Sequence, residues 1–586
     1  MDFFEQQELC RRNSRRLVVW FLLAALFTVA SYCAAGALAL SALNLYWHGT
    51  ASVPWRLVAG IAAFVGGTLL AVSAYRLWQL REGGHAVAEL LGARYIDPGK
   101  CNPAERRLLN VVEEMAIASG VSVPPLYVLF HEDAVNGLVA GHTPNEAVLI
   151  MTRGAMQKLS RDELQGVVGH EFSHILNGDM ALNVRLAGLL AGLTWLGELG
   201  EALVYGAARQ ARGVPREKQG GEAVLAVIGF AVAFIGFPGT LAAMAIKAAI
   251  SRQREFLADA ASVQFTRNPE GIAGALDSIL ALPAHTVVLA AHAEGLSHMF
   301  FAPAVAHWWG FPTHPPIAER IYRAHPRFQR EDYRASRHGR RREVAVIDGG
   351  GNVVKHVRAD GLQLLASIGQ PTSRHVEFGA RLLASLPQRL REALHDPQEA
   401  QLAMFALGGF CGEGSGLEPY VRPLGREHML TLAELAVPAI KSQPQKARDA
   451  FIGEFAARVQ ADRRVTLREF VLLTFLRQRL RAGAGQPIAT RYRKVAEVEA
   501  DLGVVLSLLA RVSGDSARGE APGAAALGAA LERLRHLAPF EKPRVIKACV
   551  EAANADGRIN AAEGELVRMV AATLDCPVPP LLAEVA

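Results

Sequence analysis

The sequence predicts a mainly α-helical membrane protein in which one α+β unit, built on a small antiparallel sheet, is followed by an all-α C-terminal region. Three observations carry that prediction. Two long uncharged apolar runs stand close together near the N-terminus. Three short β-rich runs precede a helix-patterned segment holding His170-Glu171-Phe172-Ser173-His174. Ala/Leu/Arg/Glu patterning with a helical period dominates the chain from 343 onward. Length and composition agree, since 586 residues exceed one domain and a 51% hydrophobic content exceeds that of an ordinary soluble one.

Residues 17–46 and 57–75 contain no charged side chain. Each is long enough to cross a bilayer, which takes about 20 apolar residues. Only Arg56 lies in the connection, whereas Arg11, Arg12, Arg15 and Arg16 precede the first run and Arg76 and Arg81 follow the second. Cytoplasmic flanks are the basic ones, so the pair reads as a hairpin with both ends in the cytoplasm. The first run is far longer than the core of a cleaved signal peptide.

Six scattered cysteines with no C-x-x-C pattern suit a reducing compartment and exclude a disulfide scaffold. The net charge of +6 comes from a local crowd of arginines between Arg323 and Arg342. No aromatic stacking pattern accompanies it, so that stretch reads as a solvated linker beside an anionic membrane surface, with no nucleic-acid partner.

Residues 104–119 have the pattern of an amphipathic helix, which Pro124-Pro125 break. Residues 126–130, 135–140 and 147–151 are β-rich, the last two separated by Gly141-His142-Thr143-Pro144-Asn145. They predict a small antiparallel sheet whose edge strand, Asn136, Gly137, Leu138, Val139 and Ala140, pairs with an extended peptide substrate.

The segment that follows opens with Ser160-Arg161-Asp162-Glu163, a capping box, and stops at Gly178. His170 and His174 fall four residues apart on one helical face, so both imidazoles point at one metal ion, and Glu171 is aimed at what that ion holds. A catalytic zinc takes three protein ligands and leaves a fourth position open. Downstream, Glu255 and Asp259 again share a helical face, directly after an apolar run. Glu255 is the expected third ligand, and Asp259 the acceptor for a ligand-histidine N–H, that of His170.

Two further hydrophobic runs lie between these motifs, at about 186–203 and 223–246. The second is uncharged; the first carries Glu198 and Glu201, which either end a span early or face a cavity. Arg209, Arg212, Arg216 and Lys218 in the connection oppose an outside placement. The pair either crosses against that rule or packs as a hairpin on the α+β unit.

His170-Glu171-Phe172-Ser173-His174-Ile175-Leu176-Asn177-Gly178-Asp179, the 251–259 segment Ser-Arg-Gln-Arg-Glu-Phe-Leu-Ala-Asp, and the 313–320 segment Thr-His-Pro-Pro-Ile-Ala-Glu-Arg resemble, in order, three signatures of the HtpX-type integral-membrane zinc metalloproteases, relatives of the CAAX prenyl proteases. The resemblance covers roughly residues 80–325. It implies a zincin-like domain with one Zn²⁺ held by His170, His174 and Glu255, with Glu171 as general base, and it brings His314 and Arg320 to the catalytic cleft. Oxyanion stabilisation suits both, although Arg320 pairing with a carboxylate such as Asp259 is an equal alternative. Further implications are a multi-pass protein of the inner (plasma) membrane whose catalytic domain faces the cytoplasm, and unfolded or damaged membrane proteins as substrates.

The expected organisation is therefore a membrane hairpin over 1–80, a metallopeptidase domain over 81–325, a basic linker over 326–342 and a helical region over 343–586. Around Asp348-Gly349-Gly350-Gly351 the linker continues into a hairpin-like signal. Residues 461–469 and 555–563 form an internal repeat resembling TerB-like helical modules, in which Thr466 with Glu469 and Asn560 with Glu563 read as capping boxes rather than metal ligands. This region is expected to fold separately and to bind protein partners. A competing reading is a membrane-anchored scaffold with secondary proteolysis; Glu171 argues against it, since a scaffold needs no general base.

Overall fold

The computed structural model describes residues 3–50, 52–211, 220–281, 288, 290, 292–304, 314–334, 369–410, 416–424, 428–461, 465–481, 488–512, 522–555 and 559–580. The hairpin signal at 344–354, the latter part of the basic linker, the basic connection 212–218 and parts of both repeat turns (462–464 and 556–558) lie outside the described residues.

Among the described residues, four helices are long and apolar enough to cross a membrane: α1 (Phe3–His48) and α2 (Trp55–Gln79), then α7 (Asp179–Ala211) and α8 (Gly220–Thr266). Leu17 and Phe21 of α1, Leu69 of α2, Leu186 and Leu190 of α7 and Ala243 of α8 share one buried cluster. Small residues make the close packing possible. A Cβ on Gly200 would lie 2.3 Å from the Ala233 nitrogen, and one on Gly192 would lie 2.2 Å from the Leu69 carbonyl oxygen. The glycine-rich run thus reflects contact with helices on two sides. α7 continues through both of its acids, with Glu198 half-buried and accepting the Thr194 hydroxyl at 2.8 Å and Glu201 exposed.

Between the helix pairs lie α3 (Gly84–Leu90), α4 (Pro103–Ser119), a four-stranded sheet, α5 (Arg153–Lys158) and α6 (Arg161–Asn177). The strands are β1 (Arg94–Tyr95), β2 (Leu126–Leu129), β3 (Gly137–Ala140) and β4 (Val148–Thr152), in the order β1-β2-β4-β3. The sheet is mixed, which corrects the antiparallel expectation: β2 and β4 run parallel, with Leu126 opposite Leu149, while β1–β2 and β3–β4 are antiparallel. After β2 the chain first forms the outer strand and then folds back, so β4 enters between β2 and β3 in the direction of β2. Asn136 falls just outside the strand.

α8 is one continuous helix, so the apolar run and the Glu255–Asp259 segment are parts of the same rod. α9 (Pro269–Leu280) and α10 (Ile317–Ala324) complete the α+β unit. Both ends of α6 agree with the sequence: Glu163 N–H donates to Ser160 Oγ at 3.2 Å, Ser160 N–H to Glu163 Oε2 at 2.7 Å, and Gly178 is left-handed at φ 73°.

The described C-terminal residues are helical, and their two repeat helices begin with the expected boxes, Glu469 N–H to Thr466 Oγ1 and Glu563 N–H to Asn560 Oδ1. This region, expected to fold separately, packs on α4. One apolar cluster includes Met115 and Ile117 of α4 with Val376, Leu382, Leu390 and Met404. A Cβ on Gly379 would lie 2.8 Å from the Glu114 carbonyl oxygen, and Arg391 Nη2 donates to Asn110 Oδ1 at 2.6 Å.

Candidate metal centre

α6 and α8 cross where both are narrow. Ser262 Oγ donates to the Gly166 carbonyl oxygen at 2.6 Å, and a Cβ on Gly166 would stand 2.6 Å from the Ile272 nitrogen of α9. Over the next two turns from that contact on each helix, α6 presents His170, Glu171 and His174 and α8 presents Asp259 and Glu255. All five are buried.

The two imidazoles face each other through Nε2, 3.2 Å apart. Their Nδ1 atoms face carboxylates: His170 meets Asp259 Oδ1 at 2.9 Å and His174 meets Asp179 Oδ2 at 3.0 Å. A carboxylate accepts, so each Nδ1 carries the hydrogen and each Nε2 offers a lone pair. Two lone pairs aimed at each other repel, and either a proton or a metal ion between them relieves the contact. Glu255 Oε2 lies 3.7 Å from His170 Nε2, and Oε1 lies 3.7 Å from His174 Nε2. His170, His174 and Glu255 offer ligand atoms all within 4.8 Å of one another. Bonds of about 2.05 Å in a tetrahedral site would set two nitrogens about 3.3 Å apart, so the residues fit a divalent metal ion.

Among the described residues no side chain hydrogen-bonds the Glu171 carboxylate, which the Val139 main-chain amide faces. Burial, with Glu255 adding like charge, pushes its carboxyl up to about 8, against the pull of His174 and Arg320. Burial pushes His170 down. His174 is raised despite the same burial, because Asp179 and Glu255 outweigh it.

The 314–320 segment enters from the other side. His314 Nε2 lies 3.1 Å from the Ser297 carbonyl oxygen and its Nδ1 lies 3.4 Å from Glu255 Oε2. Arg320 is fully buried and directs Nε and Nη2 to Asp259, both at 2.8 Å, and Nη1 to the Phe301 carbonyl oxygen at 2.6 Å. Nη1 also lies 3.4 Å from Glu255 Oε2. Burial lowers the Arg320 pKa, but Asp259 and then Glu255 raise it above its ordinary value. The Phe301 ring lies between the guanidinium, 4.8 Å away, and the His170 ring, 5.0 Å away.

β3 is the outer strand beside this cluster. Asn136 O accepts from Thr152 N–H on β4, so by strand alternation the main-chain groups of Gly137 and Val139 turn outward. Segment 300–302 occupies the first half of that edge: Phe301 N–H donates to Gly137 O at 2.8 Å, and Leu138 bridges Phe300. The Asn136 side chain clasps the same segment, donating to Ala302 O at 3.0 Å and accepting from Ala302 N–H at 3.1 Å.

The structure therefore brings together His170, Glu171, His174, Glu255, Asp259, His314 and Arg320, with Val139 and Ala140 on the less occupied part of the strand edge. Sequence reasoning missed Asp179 and Arg254. Asp179 holds His174 and is itself held by Arg254 Nη1 at 3.0 Å. The signal was present, since Asp179 directly follows the glycine that ends α6.

The model of peptidase family M48 matches residues 103–327. A protease HtpX homolog of Streptococcus gordonii is 31% identical over 323 residues, spanning 53% of this chain and 96% of that protein. One of Thermoanaerobacter pseudethanolicus is 37% identical over 227 residues, spanning 38% of this chain and 72% of that protein. No solved structure matches the chain.

Proposed function

Because the chain belongs to the HtpX-type proteases of peptidase family M48, and is on that ground a membrane-associated metallopeptidase, we propose that it is a zinc endopeptidase of membrane-protein quality control. In this reading its metal ligands are His170, His174 and Glu255, one Zn²⁺ is bound per chain, and its substrates are unfolded or damaged membrane proteins. The protein lies multi-pass in the plasma membrane with its catalytic domain on the cytoplasmic side.

The observation that carries the reading is the pair of facing Nε2 atoms with both Nδ1 hydrogens held by aspartates. It leaves two lone pairs and the Glu255 carboxylate converging on one point beside Glu171, whose carboxylate no described side chain hydrogen-bonds. Zn²⁺, when bound there, supplies Lewis acidity that acidifies water and polarises a carbonyl. Glu171 takes the proton of the attacking water and delivers it to the leaving amine. A raised carboxyl pKa suits a group that must accept and then release a proton near neutrality. His314, whose ring nitrogens face the Ser297 carbonyl oxygen and Glu255, stabilises charge on the scissile carbonyl oxygen once substrate binding turns one of them towards it. Arg320, whose donors are turned to Asp259 and Phe301, acts by holding Asp259 and through it His170. The outward edge of β3 receives the substrate as an added strand. The C-terminal region recruits protein partners.

The test is cleavage of an unfolded membrane protein by the purified full chain in bilayers, before and after chelation and with zinc restored. Zinc-restored cleavage at internal peptide bonds is expected. Restoration by another divalent ion but not by zinc would remove zinc from the proposal, and trimming from chain ends only would remove the endopeptidase reading.

A further inference from the structure

The turn joining β3 to β4 is gripped from two directions. From the membrane side, His142 Nε2 lies 3.2 Å from the Leu80 carbonyl oxygen just beyond α2. A Cβ on Gly84, the first residue of α3, would lie 2.4 Å from the Ala140 carbonyl oxygen. From the opposite side, the C-terminal region takes hold of Asn145. Lys441 Nζ, at the end of the helix Met429–Lys441, donates to the Asn145 carbonyl oxygen at 2.9 Å. The Asn145 side chain donates to Asp575 Oδ1 at 2.8 Å. The stretch after Asp575 is fixed in turn, because a Cβ on Gly120 would lie 2.1 Å from the Val578 carbonyl oxygen.

β3 has only four residues. Its inner edge is paired with β4; among the described residues its outer edge is bridged at its start by Phe300 and Phe301, and farther along the Val139 main-chain amide faces Glu171. The position of Val139 and Ala140 therefore depends on the turn that follows them. From the geometry we infer that Lys441 and Asp575 are positioning residues for peptide binding: through Asn145 they hold the β3–β4 turn, and with it the outward backbone edge at Val139, where an extended substrate pairs. This rests on the reading of β3 as the substrate strand. It gives the C-terminal region a direct part in substrate alignment, distant from the metal.

The experiment compares the full-length protein with Lys441→Met, which keeps the aliphatic stem, and with Asp575→Gly, which removes the acceptor at a residue whose φ of 56° glycine adopts without strain. Lys441→Arg and Asp575→Asn serve as conservative partners. Each is assayed on a peptide long enough to pair along β3, on the same peptide N-methylated beside the scissile bond, and on a short substrate that cannot pair. Zinc content and melting temperature accompany every assay. Lys441→Met and Asp575→Gly are expected to raise KM for the long peptide about tenfold with little change in kcat, the mark of lost uniform binding. The short substrate should be unaffected, and the conservative variants should restore KM. Equal losses on long and short substrates, or an unchanged KM, would overturn the inference. If N-methylation does not raise KM in the unaltered protein, the strand reading itself fails; if it does and the variants still behave normally, only the role of Lys441 and Asp575 fails.

Discussion

Asp259 receives Arg320 through two donors, Nε and Nη2, each at 2.8 Å, while Oδ1 of the same carboxylate lies 2.9 Å from His170 Nδ1. A single side chain on α8 thereby couples the histidine of the first motif to the arginine of the third. Asp259→Asn replaces one acceptor oxygen with a donor, which faces either the Arg320 fork or the His170 N–H. Metal affinity or activity is expected to fall by about 10–100-fold without emptying the site. Competition against a chelator of known affinity measures the first, and an unchanged affinity would confine Asp259 to holding Arg320.

Glu171→Gln should retain the metal and lose turnover by about 10²–10⁴-fold, since an amide cannot take up the proton. Glu255→Ala should do the reverse in order, losing metal first and activity as a result. Metal content and turnover measured on the same preparations separate the two. A Glu255→Ala protein with full metal occupancy would place the third ligand elsewhere.

His375 is expected to make the junction with the C-terminal region acid-sensitive. Its Nδ1 accepts the Thr372 N–H at 3.1 Å in a capping box, and burial pushes its pKa down to about 4. An unfolded histidine titrates near 6.5, so between about 6.5 and 4 the unfolded chain binds the proton that the folded chain refuses. Stability should therefore decline as pH falls through that window, by up to about 3 kcal/mol, and level off below it. His375→Gln keeps a capping side chain that does not titrate and should flatten this part of the profile. Melting temperatures of both proteins from pH 7 to 4 decide the matter, and parallel curves would discard it.

Removing residues 343–586 should destabilise the catalytic unit. The apolar face of α4 that includes Met115 and Ile117 would lose its cover, and Glu113, which His395 Nε2 approaches to 2.5 Å, would lose its partners. Each kcal/mol lost lowers the melting temperature of a unit of this size by about 2–4 °C. Calorimetry of the truncated and full chains measures the difference. An unchanged melting temperature would restore the picture of a separately folding extension.

What the sequence made legible was local. The i, i+4 pair on α6, the Glu255–Asp259 pair on α8 and the capping boxes at Ser160, Thr466 and Asn560 all depend on residues within one or two turns, where helical period fixes neighbours. The parallel pairing of β2 with β4 depends on contacts across the intervening β3 hairpin, and no local pattern encodes it. Asn136 read as strand, yet its amide serves a segment more than 160 residues away at Ala302. The same limit applies to the C-terminal helices. Their apolar faces were visible, but amphipathicity states only that a face is covered, not that α4 covers it.

The unbroken α8 also sets a depth. Glu255 follows Ile246, the last residue of the apolar run, by nine residues of one helix, a rise of about 13 Å at 1.5 Å per residue. If the 223–246 run crosses the bilayer along its normal and Glu255 holds the metal, a scissile bond comes to within about four extended residues of the level at which that run ends. A chain anchored in the same bilayer would present this juxtamembrane stretch without being pulled out, whereas a domain folded tightly against the lipid surface would hold it out of reach.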